Sequence, residues 1–93
     1  MLDLATHILY LNKEAGPEIA LRFADAVEEA LARLEQFPHL GRPRHFSQAG
    51  LRSWVVPGFR RWLLFYVPIR NGIRLYRVVH SSMDLETQLG PEP

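Results

Sequence analysis

The strongest constraint on the fold is a change of hydrophobic period part-way along the chain. Up to residue 37 the apolar residues recur every three or four positions. Leu4, Ile8 and Leu11 form one such row, and Ala20, Phe23, Val27, Leu31 and Leu34 form another. Between the rows stands Gly16-Pro17. Glycine suits the end of one helix and proline the first turn of the next, so the rows read as two helices in an antiparallel hairpin. Pro38 stops the second helix. Residues 38–50, PHLGRPRHFSQAG, read as a loop. Beyond residue 50 the helical period is gone.

Three strand-like runs follow. LRSWVV (51–56) ends at Pro57-Gly58, and RRWLLFYV (60–67) is nearly continuous in apolar character. IRLYRVVH (73–80) lies beyond Asn71-Gly72, a hairpin signal. A continuous apolar run fits a central strand covered by other elements. Strict alternation in the last run places Ile73, Leu75, Arg77 and Val79 on one face, and Arg74, Tyr76, Val78 and His80 on the other. From Ser81 a short helix is expected, with Ser81 or Ser82 as its cap and Asp84 or Glu86 in its first turn. The expected fold is α+β: an N-terminal helical hairpin on a small antiparallel sheet of about three strands. With 93 residues it is one domain.

Composition narrows the function classes. There is no cysteine, which excludes disulfides and thiolate metal sites. His7, His39, His45 and His80 lack the spacing of a metal site, so neither metal nor cofactor is expected. The longest apolar run, Trp62–Pro68, falls far short of the roughly 20 residues that span a bilayer. The N-terminal residues lack a signal-peptide pattern, and a cytoplasmic protein is expected. The charge is segregated. Residues 1–37 carry three basic and seven acidic side chains, whereas residues 38–83 carry eight arginines and no acid. Such a block suits an acidic partner, although some arginines can instead pair with the acidic helices. Arg42 and Arg44, in the loop, are the first candidates for partner contact. Arg60, Arg61, Arg74 and Arg77 join them on strands, together with Trp54. Arg60 and Arg61 straddle a strand start and are expected on opposite faces. Trp54 and Trp62 fit a core or a groove lining better than a base-stacking platform.

The stretch RVVHSSMDL (77–85) raises the question of catalysis, because Asp84 follows His80 by four residues. His80 is a possible proton-transfer group. A structural role, in which it bonds the following turn or Asp84, is the simpler reading.

Four motifs carry a resemblance. Asp3-Leu4 with Tyr10 and Gly16, the loop PHLGRPR, the run PGFRRWLLFY and the closing RVVHSSMD together resemble the ParE branch of the RelE/ParE toxins. The resemblance implies a type II toxin held by a cognate ParD-like antitoxin, with operator DNA engaged only through that antitoxin. Members of this branch are understood to poison DNA gyrase, whereas RelE-type members cut messenger RNA on the ribosome. Family members usually begin with a strand ahead of the first helix; here Met1 falls at the start of that helix, so the expectation is either an upstream start or a sheet that lacks this strand and has an open edge. For a RelE-like nuclease the resemblance points to Arg60, His80 and Arg42. Yet residues 81–89 contain no basic side chain and no tyrosine to complete such a set. A binding toxin is therefore expected. A ribosome-dependent endoribonuclease and an inactive homologue that only binds antitoxin are the alternatives.

Overall fold

A computed structural model describes residues 2–91 of the chain. The side chains of Leu2, Asp3 and Leu4 lie outside the described part, and the expected role of Leu4 with them. Two helices come first, α1 at Leu2–Ala15 and α2 at Pro17–Gln36. They are joined at Gly16, whose φ of 94° is reached readily only by glycine. Pro17 then opens α2. Ala20, Phe23, Val27, Ala30 and Leu34 bury one face of α2, as the helical spacing predicts.

Four strands follow: β1 at Arg42–Pro43, β2 at Arg52–Val56, β3 at Phe59–Ile69 and β4 at Gly72–His80. They form one antiparallel sheet in the order β1-β2-β3-β4. The count is four rather than three because the expected loop contributes β1. Arg42 pairs with Ser53 and Pro43 with Arg52. Two residues are too few to show a strand period, so β1 is silent in the sequence. A last short helix, α3, spans Leu85–Leu89. Its cap is Asp84 rather than a serine, with the carboxylate accepting from the Glu86 N–H (3.1 Å) and the Thr87 hydroxyl (2.8 Å).

Both faces of the sheet are packed. On the helix side, Phe23, Val27, Ala30 and Leu34 meet Val56, Trp62, Leu64, Tyr66 and Val78. On the outer side, Phe46, Leu51, Phe65, Val79 and Leu89 form a smaller core under the 44–51 segment and α3. Full burial of each such side chain contributes roughly 1.5–3 kcal/mol. Double coverage explains why β3 is apolar almost throughout.

The simple alternation expected for β4 is broken. Phe65 pairs with Arg77 but Tyr66 pairs with Leu75, so Tyr76 is an extra residue. This bulge shifts the period by one. Ile73 and Leu75 therefore join Val78 on the helix side, while Val79 lies on the outer side. A second irregularity lies between β2 and β3, where Val55 pairs with Leu63 but Val56 with Phe59. Arg60 and Arg61 sit in that skipped stretch. Alternation does not govern them, and both are exposed.

Candidate partner-binding surface

The segment that leads from α2 into the sheet is held by a buried phenol. Tyr66 is fully buried, and its hydroxyl donates to the Pro38 carbonyl (2.7 Å) while accepting from the Gly41 N–H (2.8 Å). Burial pushes the Tyr66 phenol above the ordinary tyrosine value; the Gly41 N–H and then the Arg52 guanidinium pull the other way. Gly41 is required here by close approach. A Cβ at this position overlaps the Tyr66 hydroxyl and comes within 2.6 Å of Cε1 of the ring. Arg52 adds two bonds from one nitrogen, to the carbonyls of Gly41 (2.7 Å) and His39 (3.2 Å). These contacts fix the path of the chain into Arg42 and Arg44.

Arg44 is less free than a loop arginine. Its guanidinium lies over the rings of Phe65 (5.3 Å) and Phe46 (5.5 Å) and donates to the Ser53 hydroxyl (3.0 Å). Burial, and secondly the neighbouring charge of Arg42, holds its pKa below the ordinary arginine value. Arg42 itself is exposed. Both line a groove of about 360 Å³ on the outer face, with Leu40, Ser53, Trp54, Val55 and Leu63. Trp54 also packs against the helix-side core, and its buried indole N–H has no partner.

Arg60, Arg61 and Arg74 are exposed and do not line this groove. Arg77 is committed to the fold. It donates to the Gln88 carbonyl (3.1 Å) and to Gln88 Oε1 (2.9 Å), which ties β4 to α3. Among the eight arginines, the sequence does not separate Arg52 and Arg77, which brace backbone, from Arg42, which faces water.

His80 closes a turn. Its Nδ1 accepts from the Ser82 N–H (3.1 Å) and lies 2.7 Å from the Ser82 hydroxyl. Asp84 is occupied at the cap of α3, so the two residues form no dyad. The His80 ring packs edge-on against Trp62 (4.9 Å between centroids), and His7 of α1 packs on the same ring (4.6 Å). His7 donates from Nε2 to the Val78 carbonyl (2.8 Å) and so locks α1 to β4. A separate cleft of about 490 Å³ lies between α1 and this end of the sheet, lined by His7, Tyr10, Trp62, His80 and Met83 among others. Arg42 and His80 thus line different clefts, and Arg60 lines neither. Among the described residues no group of three or more His, Cys, Asp or Glu could hold a metal ion, and no helix is long and apolar enough to cross a membrane.

The family model for the ParE toxin of the type II toxin–antitoxin system parDE matches residues 2–85. The chain belongs to the ParE toxin family. The match runs from α1 through the whole sheet to the first residue of α3. The ParE family is one of type II toxin–antitoxin toxins, and the α+β architecture fits the RelE/ParE fold. A search of curated proteins gives no significant match.

Proposed function

We propose that this ParE-family chain arrests growth by binding rather than by chemistry of its own. Its target is DNA gyrase, whose DNA-cleavage complex it traps. A ParD-like antitoxin holds it inactive, and operator DNA is reached only through that antitoxin. The observation that carries the reading is the state of the one histidine at a strand end. His80 is engaged with Ser82 and Asp84 with α3, so the two form no pair, and Arg42 lines a different cleft from His80. General acid–base transfer needs its groups within reach of one substrate atom. That geometry supports a binding surface, and membership of the ParE family supports gyrase as the target.

The test is induction of the chain in bacterial cells without an antitoxin. Filamentation with an SOS response and gyrase-dependent DNA breaks is the expected result. Rapid loss of translation with messenger RNA cut in the ribosomal A site overturns it in favour of the endoribonuclease. An absence of any growth effect favours a homologue that only binds antitoxin. Co-purification with an antitoxin encoded beside it tests the second part of the proposal.

A further inference from the structure

Two arginines converge on Ser53, one through the strand register and one through its side chain. Arg42 is the cross-strand partner of Ser53, and Arg44 donates to its hydroxyl. The charge of Arg42 is felt at Arg44. No acid lies anywhere between residues 38 and 83 to neutralise them locally. Immediately beside them the groove is aliphatic, with Leu40 and Val55 each 43% exposed and Leu63 completing the floor. A held cation, an exposed cation and an apolar floor therefore share one small groove.

We propose that this groove receives an extended acidic–apolar protein segment, seating a carboxylate between Arg42 and Arg44 and an adjacent apolar side chain on Val55 and Leu63. The proposal rests on the toxin reading for its choice of partner and names the chemistry of the antitoxin segment that docks here. Charge complementarity requires the anion, because two like charges side by side are relieved by an oxyanion and guanidinium binds carboxylate in a planar fork. The aliphatic floor selects a peptide over a nucleic acid. Phe46 and Phe65 are buried beneath Arg44, and Trp54, the other aromatic of the lining, packs against the helix-side core, which disfavours base stacking here. Docking runs across the face rather than along the edge. β1 is only two residues long, and Pro43 has no N–H to extend the ladder. Alternate side chains of an extended segment lie about 7 Å apart on one side, which suits a step from the arginine pair to the apolar floor.

The experiment uses the full chain and three fluorescein-labelled probes: an octapeptide alternating glutamate and leucine, the same peptide with glutamine for glutamate, and an eight-nucleotide oligothymidylate. Fluorescence anisotropy is expected to show binding of the glutamate peptide, with the glutamine peptide weaker by roughly tenfold or more. Arg42→Gln and Val55→Asp, both at exposed positions, are each expected to weaken it by roughly tenfold, whereas Arg70→Gln changes it by less than about twofold. Circular dichroism checks that each variant is folded. Equal binding of the two peptides overturns the proposal, as does equal loss in Arg42→Gln and Arg70→Gln. Tighter binding of the oligonucleotide, lost in Arg42→Gln, overturns it in favour of a nucleic-acid site. Intact antitoxin capture by Arg42→Gln and Val55→Asp refutes the groove assignment alone. Failure of the unaltered chain to capture its antitoxin refutes the toxin reading beneath it.

Discussion

Replacement of Tyr66 by phenylalanine isolates one oxygen atom on which the 38–41 segment depends. The ring stays and the apolar burial is nearly unchanged. What is lost is the acceptor for the Gly41 N–H and the donor to the Pro38 carbonyl. Gly41 is buried, so its N–H is left without a partner, at about 1–3 kcal/mol. Pro38 is half-buried and can turn to water, so its loss is nearer the usual net hydrogen bond of about 0.5–1.5 kcal/mol. Together the expected destabilisation is about 1.5–4.5 kcal/mol, a large share of the roughly 5–14 kcal/mol available to a chain of this size. Urea unfolding followed by tryptophan fluorescence is expected to show a midpoint lower by about 1 M or more with an unchanged slope. The variant also carries a pH signature. Burial raises the Tyr66 phenol in the folded state above the unfolded value of 10.0. The neutral phenol is therefore the form the fold favours. Its contribution is complete below pH 10 and declines as pH rises through the higher folded value. The stability gap between the two proteins should narrow above pH 10. A loss under about 0.5 kcal/mol, or a gap that widens with alkali, refutes the argument that this phenol braces the segment.

Gly41→Ala is expected to destabilise by about 1–3 kcal/mol in the same assay, because its Cβ overlaps the Tyr66 ring; a neutral effect disproves the close approach. Arg44→Gln should lose more stability than Arg70→Gln, since only Arg44 stacks on Phe46 and Phe65 and bonds Ser53; equal urea midpoints contradict that. Asp84→Ala is expected to cost about 1 kcal/mol and to speed amide exchange in α3 while β3 stays protected. His80→Ala and Arg60→Ala are each expected to retain growth arrest when the variant remains folded, and loss of toxicity with antitoxin binding intact restores a catalytic role for them.

The elements of this fold were legible wherever a long period carried them. The Phe23–Val27–Leu34 row and the apolar core of β3 are dictated by which faces are buried, and burial leaves its mark on composition. The bulge at Tyr76 is different. It inserts one residue without any glycine or proline to announce it, so the side assigned to Ile73 and Leu75 from alternation alone is reversed. Strand β1 was hidden because Arg42-Pro43 is read by its neighbours rather than by its own residues. The arginine block was visible as a charge, but not its division of labour. Arg52 and Arg77 end on backbone carbonyls, Arg44 ends on rings, and Arg42 ends in water, and those fates depend on contacts with residues 9 to 13 positions away or more. His7 was likewise unremarkable in sequence, since its contact with Val78 spans 71 positions.

The central claim is that the chain acts by capturing a target rather than by turning over a substrate. The most direct measurement mixes the purified chain with DNA gyrase, ATP and supercoiled plasmid, and counts linear DNA released by detergent and protease. The expected result is linear DNA that rises with added chain and saturates at a fixed ratio to gyrase. No linear DNA, together with multiple-turnover cleavage of messenger RNA on a programmed ribosome by the same preparation, contradicts it.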